Sequence, residues 1–279
     1  MDWAAAQARL RGPAFAPIAP ALARLDPSRW PTHGELTALA EGVVTATGLP
    51  VRFVPPRARG EAGTTYYEVR IARSGEVETR ADNWHDLFNA LAWITWPRAK
   101  AAINAQHAAM LAEGGEEEGR RRRPERDALT LFDEGGVVVA SRSPAPLRLI
   151  RDFEWKELFW RRRGELAGEV RFLAFGHSLL EKMLDPFVGI VAKTVFLPVD
   201  DFFTMLPPEA QVARADELLA AHFAARARFP SPRAMAPMPV LGIPGWCAEG
   251  EREAFYDDES HFRRKPEKWG QVTFPIPEK

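Results

Sequence analysis

The chain has 279 residues, of which 46% are hydrophobic and 27% are charged, a composition that fits a globular protein and excludes a disordered or fibrous one. Its 37 basic and 38 acidic residues nearly cancel, so the formal net charge of -1 excludes a general attraction to nucleic acid or to anionic membranes. The single cysteine, Cys247, excludes both an intrachain disulfide and a zinc site built from paired cysteines.

No stretch of the sequence has the features of a targeting or membrane segment. The N-terminus lacks a basic region, and prolines interrupt its first apolar stretch. The longest apolar run, 186–199, contains Lys193 and is shorter than the roughly 20 residues needed to cross a bilayer. The sequence therefore predicts a cytoplasmic bacterial protein without a membrane partner.

The N-terminal part alternates between helical and extended patterns. Residues 1–31 are rich in proline and predict an arm that wraps over a core, anchored by Phe15 and Trp30. A single domain is predicted over 32–262. Its first predicted elements are a helix from the capping box of Thr32 and Glu35 to Gly48, a strand over Val51–Val54, a β-hairpin over Thr65–Arg80 and a helix from about Trp84.

The C-terminal part continues the mixture and ends in a tail, 263–279. The predicted elements are an exposed charged loop near 113–126, strands over Leu129–Phe132 and Val137–Ala140 around a turn, a helix over 149–163, a strand over 170–175, helices over 177–184 and 216–227, and largely irregular chain from 229 onward. Because strands and helices do not alternate regularly, the predicted class is α+β, with two β-hairpin or small-sheet regions packed with several helices and with irregular Pro-rich arms at both ends.

The first candidate for chemistry lies at the start of the helix near Trp84. His85 and Asn89 stand one turn apart on the same face, and Asp86 lies in the first turn. Histidine and aspartate there could bind a metal or exchange protons, whereas the alternative is that Asp82 or Asn83 merely caps the helix.

A second candidate is the helix that follows Gly176. An i, i+4 spacing places His177 and Glu181 on the same helical face, where they could hold a metal or form a polarised base, although a plain surface pair fits the spacing equally well. A serine nucleophile at Ser178 is disfavoured, because Leu180 replaces the second glycine of a nucleophile elbow.

A third candidate is the stretch from Arg126 to Asp133. If it is a strand, Asp127 and Asp133 share a face and could bind a divalent cation, whereas simple turn chemistry is the alternative. A separate band of arginines and aromatic residues, 120–171, has the residue types that bind phosphate and stack on bases.

Three stretches together resemble a known group of sequences. They are 83–91 with Trp96, Pro97, Arg98 and Lys100; 126–127 with 130–134; and 175–177 with Leu179, Leu180, Glu181 and Lys182. In order and spacing they are similar to an uncharacterised family of proteobacterial proteins, domain-of-unknown-function family 3025, over approximately Trp30 to Phe262. The resemblance implies no activity. It implies a shared polar site, because the family pattern includes the residues that match His85, Asp86, Asn89, His177 and Glu181.

These observations lead to a pocket in which the helix starts at His85 and His177 meet. We predict catalytic roles for His85, His177 and Glu181, substrate binding by Asn89, Arg126 and Asp127, and metal binding by Asp86 and Asp133. The predicted chemistry is metal-assisted hydrolysis, with a phosphate ester as the first substrate class, and a divalent metal is the one cofactor class that the residues suggest. The alternatives are a non-catalytic module that binds nucleic acid or a protein through the band 120–171, and an assembly role for the nine tryptophans.

Overall fold

The computed structural model describes residues 1–57, 66–118, 123–225 and 230–267, with the side chains of 114–118 left out. Within these ranges the α-helices are α1 (Trp3–Ala6), α2 (Ala19–Leu22), α3 (His33–Leu39), α4 (Tyr67–Ser74), α5 (Trp84–Thr95), α6 (Pro97–Glu118), α7 (Pro124–Gly135), α8 (Pro144–Asp152), α9 (Arg163–Glu169), α10 (His177–Met183) and α11 (Pro208–Ala224). A π-helical turn, Glu157–Arg161, lies between α8 and α9.

The strands form two small sheets, and the fold is α+β as predicted. They are β1 (Arg52–Val54), β2 (Glu76–Glu78), β3 (Gly136–Ser141), β4 (Val170–Ala174), β5 (Val191–Pro198) and β6 (Pro237–Pro239). Strands β1 and β2 pair in parallel. The larger sheet has the order β4-β3-β5-β6, in which β3 and β5 are parallel and the two outer strands are antiparallel to their neighbours.

Both faces of the larger sheet are buried, which explains its continuous apolar strands. Val137 and Val139 of β3 pack into one hydrophobic cluster, and Val138 and Ala140 pack into another on the opposite face. The clusters place α5 and α10 on the first side and α11 on the second. Strand β3 therefore lies at the centre of the fold, with a hydrophobic cluster against each of its faces.

The predicted hairpin over Thr65–Arg80 is wrong. Thr65 lies outside the described residues, Tyr67–Ser74 is helix α4, and β2 pairs in parallel with β1 across that helix. Gly75 ends the helix in the left-handed region, at φ 72°. A side chain at Gly75 would meet the carbonyl oxygen of Pro50 at 2.1 Å, so the sharp exit from α4 into β2 depends on glycine.

The predicted strand over Leu129–Phe132 is also wrong, and the predicted charged loop near 113–126 is helical at both of its ends. Leu129–Phe132 lies in α7, because Ala128, Leu129 and Phe132 are buried at helical spacing behind a proline at the first helical position. Helix α6 continues through Glu118, and 119–122 lie outside the described residues.

Other boundaries also differ from the predictions. The capping box of Thr32 and Glu35 is confirmed, but α3 ends at Leu39 and not at Gly48. The helix predicted over 149–163 is interrupted by Phe153, whose φ of 63° ends α8. Helix α11 begins eight residues earlier than predicted, at Pro208 instead of 216, and the predicted end at 227 lies outside the described residues.

The terminal arms are more regular than predicted. Short helical turns occupy much of 3–22, and the chain after 230 contributes β6 and several 3-10 turns. Phe15 is buried and Trp30 packs against the core, as expected for anchors. Trp3 stacks on Trp84 with ring centroids 5.5 Å apart and so packs against the start of α5.

Candidate functional site

A polar pocket of about 270 Å³ opens where α4, α5, α6, α7 and α10 meet. Its lining consists almost entirely of groups that donate, accept or titrate. They are Tyr67, Glu68, Glu78, Arg80, His85, Asp86, Asn89, Lys100, His107, Thr130, Asp133, Glu134 and His177. Such a concentration of polar side chains in one concave place is typical of a catalytic or binding site.

His177 enters the pocket at a point where the backbone is tightly packed. It is the first residue of α10 and follows Gly176, whose N–H donates to the carbonyl oxygen of Gly136 at 3.0 Å. A Cβ atom at Gly176 would lie 2.4 Å from the carbonyl oxygen of Glu134. Only glycine allows this approach, which brings His177 beside the end of α7.

The His177 imidazole is buried and neutral at pH 7. Its residue is 6% exposed, and burial lowers its pKa to about 4. The Nδ1 atom lies 3.7 Å from Oδ2 of Asp133, too far for a hydrogen bond, and has no hydrogen-bond partner in the described part of the chain.

Asp133 forms a buried ion pair with Lys100. The Lys100 Nζ atom lies 2.6 Å and 2.8 Å from the two carboxylate oxygens, and the Lys100 side chain is only 5% exposed. Burial acts to raise the pKa of Asp133, but the Lys100 ammonium outweighs it and holds that pKa below its usual value. Asp133 is therefore a fixed negative charge beside His177.

Asn89 links this ion pair to the opposite wall. Lys100 Nζ donates to Asn89 Oδ1 at 3.0 Å, and Asn89 Nδ2 donates to the Tyr67 hydroxyl at 3.1 Å. The network thus crosses the pocket from α7 to α4. Asn89 had been predicted as a binding residue, and in the structure its amide orients two other pocket groups.

His85 pairs with a carboxylate from another helix. Its Nδ1 lies 3.2 Å from Oε2 of Glu181, and its ring meets that of His177 edge to face with centroids 4.5 Å apart. The two predicted helix starts therefore converge. The predicted pairing of His177 with Glu181 is wrong: Glu181 contacts His85, while His177 faces Asp133.

Asp86 lies at the rim and holds α5 to the chain after β2. It accepts from the backbone N of Arg80 at 2.6 Å and pairs with its guanidinium at 2.8 Å. Burial acts to raise the pKa of Asp86, but the Arg80 hydrogen bonds outweigh it and lower that pKa. Asn83 caps α5 by accepting from the Asp86 backbone N at 3.0 Å, as predicted for Asp82 or Asn83.

The two predicted metal ligands, Asp86 and Asp133, are thus each paired with a cation, Arg80 and Lys100 respectively. In the ranges that the structure describes, no group of three or more His, Cys, Asp or Glu side chains is arranged to hold a metal ion.

Glu68 is the pocket's most perturbed carboxyl group, and sequence reasoning missed it. Asn104 Nδ2 donates to its Oε2 at 2.6 Å and to its backbone carbonyl at 2.9 Å. Burial, together with the nearby charge of Asp133, raises the pKa of Glu68 to about 7. Glu68 is therefore poised to gain or lose a proton near neutral pH.

Three polar residues on one face of α6 form a sequence pattern that could have identified this side of the pocket. Lys100, Asn104 and His107 recur at helical spacing in an otherwise alanine-rich segment, and each is at most 5% exposed. Burial lowers the pKa of His107 to about 4, so it too is neutral at pH 7. Polar residues on the buried stripe of a helix indicate either a network or a site.

A comparison with models of protein families shows the family to which the chain belongs. Residues 51–266 match the family described as "Protein of unknown function (DUF3025)". The chain belongs to this family. The match includes every residue that lines the pocket, and no curated protein and no solved structure matches the chain.

Two predicted binding residues of this DUF3025 chain lie away from the pocket lining. Arg126 and Asp127 are both in the first turn of α7, and neither belongs to the pocket wall. The positive charge of Arg126 still affects two pocket groups. It lowers the pKa of Glu68, which opposes the effect of burial, and it lowers the pKa of His107, as burial also does.

The arginine and aromatic band does not form one exposed surface in this DUF3025 chain. Trp155 and Phe159 are buried in the core. Arginines 120–122 lie outside the described residues, and five others form ion pairs: Arg142 with Asp201, Arg151 with Asp152, Arg161 with Glu157, Arg162 with Glu165 and Arg163 with Glu251. The band therefore gives the nucleic-acid hypothesis no specific support.

No helix in the described ranges is both long enough and apolar enough to span a membrane.

Proposed function

We propose that this DUF3025 chain is an enzyme that hydrolyses a small polar substrate by general acid–base catalysis in the pocket where α4, α5, α6, α7 and α10 meet. The observation that supports this most strongly is the combination of an oriented imidazole, His85 with Glu181, and a carboxyl group, Glu68, whose pKa is raised to about 7, on one pocket.

His85 acts as the general base. Glu181 accepts from Nδ1 at 3.2 Å, which fixes the tautomer and leaves Nε2 to take a proton from water. In the described residues Nε2 has no hydrogen-bond partner, and the side chain is 35% exposed, so water can reach it. As His85 takes a proton from water, the water oxygen forms a bond to the electrophilic atom of the substrate, and the bond from that atom to the leaving group breaks.

Glu68 acts as the general acid. With its pKa near 7, a large fraction of the carboxyl groups is protonated at neutral pH and can protonate the leaving group. His177 remains neutral, and its unpartnered Nδ1 can accept a hydrogen bond from the substrate without adding charge. Lys100 and Asn89 hold Asp133 and Tyr67 in place around the reacting groups.

The metal and the phosphate ester suggested by the sequence are not part of this proposal. The oxygens of Asp86 and Asp133 already bind Arg80 and Lys100. The pocket has no cluster of free cations for a phosphate, since both of its basic lining residues are in those ion pairs. Proton transfer needs neither group.

The proposal is tested with purified full-length chain and three chromogenic substrates: a p-nitrophenyl carboxylic ester, an aminoacyl p-nitroanilide and p-nitrophenyl phosphate. For the substrate that is turned over, His85→Asn should lower kcat/KM by about 100-fold to 10,000-fold, the usual contribution of a general base. Glu68→Gln should lower kcat/KM comparably and abolish the loss of activity that the wild type shows as pH rises through about 7.

Glu41→Gln is the matched control, because Glu41 is an exposed carboxylate outside the pocket. It should leave kcat/KM unchanged. The proposal is refuted if no substrate class is hydrolysed, or if His85→Asn and Glu68→Gln both retain activity within a few-fold of the control.

A further inference from the structure

The carboxylates of the pocket are not all neutralised. Among the lining residues, acidic side chains outnumber basic ones by five to two. Three of the five are in salt bridges: Glu78 with Arg70, Asp86 with Arg80, and Asp133 with Lys100. The remaining two, Glu68 and Glu134, form no salt bridge with any described residue.

Glu134 lies at the mouth and Glu68 lies deeper. The Glu134 side chain is exposed, and no hydrogen bond or ion pair joins it to the described part of the chain. Glu68 is partly buried and is bound only by the neutral amide of Asn104. A ligand entering the pocket therefore passes two carboxyl groups that lack a cationic partner, which favours positive charge and opposes negative charge.

A second observation shows what kind of group the inner wall accepts. His177 is nine-tenths buried, lines the pocket and has an Nδ1 atom without a hydrogen-bond partner in the described ranges. That atom and Oδ2 of Asp133 are 3.7 Å apart. In the tautomer that carries its proton on Nε2, Nδ1 is an acceptor. One nitrogen with two N–H groups can then lie about 2.9 Å from both Nδ1 and Oδ2, so the pair offers two acceptors to such a nitrogen.

We infer that the pocket binds a small cationic molecule with N–H donors, of the alkylammonium or guanidinium class. An N–H group is shared by His177 and Asp133, and the ligand's charge faces Glu68 and Glu134. Lys100 is already held by Asp133 and Asn89, so it does not provide a free cation for an anionic ligand. The volume of about 270 Å³ restricts the ligand to a small molecule. This inference rests on the proposed function, because it names the substrate class of the same pocket.

The test is isothermal titration of the full-length chain with three probes at equal ionic strength. Agmatine carries both a guanidinium and an ammonium group, tetramethylammonium has the charge but no N–H donor, and inorganic phosphate is the anion. Agmatine should bind saturably, tetramethylammonium at least about tenfold more weakly because it cannot satisfy the buried acceptors, and phosphate not at all. Glu134→Gln should weaken agmatine about threefold to fivefold, the range for an exposed charge pair, and Glu41→Gln should not change it.

Several results would overturn the inference: no agmatine binding, equal affinity for tetramethylammonium, binding of phosphate in competition with agmatine, or no difference between Glu134→Gln and Glu41→Gln. Its failure is distinguishable from failure of the proposed function. Agmatine binding without turnover of any chromogenic substrate would leave this inference standing and remove the hydrolase. Turnover of the p-nitrophenyl carboxylic ester or of the p-nitroanilide without agmatine binding would remove this inference and leave the hydrolase standing.

Discussion

Lys100→Met tests whether the buried ion pair organises the pocket. Methionine keeps an unbranched chain that is one atom shorter and removes the ammonium that lies 2.6 Å from Asp133 and 3.0 Å from Asn89. Because the two charged side chains are only 5% and 16% exposed, Asp133 is left as a buried charge without its partner. We expect a loss of about 3–5 kcal/mol in the free energy of unfolding at pH 7.

The pH dependence of this loss gives a second, independent measure. In the wild type, Lys100 holds the pKa of Asp133 low, so the pair stabilises the fold above the unfolded value and loses that effect as pH falls through the folded pKa. In Lys100→Met, burial raises the pKa of Asp133 instead. The carboxyl group can then protonate in mildly acidic solution, and the gap between variant and wild type should narrow from pH 7 toward pH 4.

Urea unfolding followed by tryptophan fluorescence measures both effects, since the chain has nine tryptophans. Lys182→Met is the control, because Lys182 is exposed, and it should change stability by less than about 0.5 kcal/mol. The double variant Lys100→Met with Asp133→Asn should recover part of the loss. A cost below about 1 kcal/mol that does not vary with pH would show that the ion pair does not contribute as the structure indicates.

Two further predictions concern the backbone and the proton balance of the site. Gly176→Ala places a methyl group 2.4 Å from the carbonyl oxygen of Glu134 and should lower the free energy of unfolding, measured in urea, by about 1–3 kcal/mol. The control is Gly164→Ala, at a helical position where an added methyl group has nothing within 4 Å, and it should not lower that free energy. Equal effects of the two substitutions would contradict the packing argument. The pKa of Glu68 in the folded chain is raised to about 7, so its carboxyl group is harder to ionise in the folded state than in the unfolded one. As pH rises from about 4.5 to about 7, the wild type should therefore lose on the order of 2–3 kcal/mol of stability relative to Glu68→Gln. A stability difference that stays constant with pH would contradict the raised pKa.

The elements that were predictable from sequence have strong local signals. A continuous apolar run after two glycines identified β3, and helical spacing with a cap identified α5. The glycine before His177 marked the start of α10. The meeting of His85 and His177 was expected from the family resemblance, and in the structure it follows because both residues begin helices that pack on the same side of the larger sheet.

The errors have a common physical origin in short segments. Seven residues from Asp127 to Asp133 fit a strand with period two and a helix with period 3.6 almost equally well, and burial of Phe132 against the second cluster decided for the helix. On a helix, Asp133 turns toward Lys100 and away from Asp127. Lys100, which forms the ion pair with Asp133, lies 33 residues away in sequence, and no local sequence pattern specifies this pairing.

Glu68 was missed for a related reason. The segment around it was predicted as a hairpin, in which its side chain would point to solvent, but in α4 it points toward α6. Its pKa is raised by burial and by the charge of Asp133 on another helix, and together these outweigh the lowering effect of the Asn104 hydrogen bond. A pKa shift of this kind is a property of the assembled pocket, so composition and spacing along one segment cannot predict it.

Burial acts in opposite directions on the two kinds of titrating group in this pocket, and this has a chemical consequence. It raises the pKa of Glu68 to about 7 and lowers that of His177 to about 4, because in each case the charged form loses hydration. Near pH 7 the pocket therefore contains a carboxyl group close to half protonation beside an imidazole without charge. A fixed carboxylate, Asp133, is maintained only because Lys100 accompanies it. Glu68 can therefore gain or lose a proton near neutral pH while His177 stays uncharged, which limits the charge that the buried site must hold.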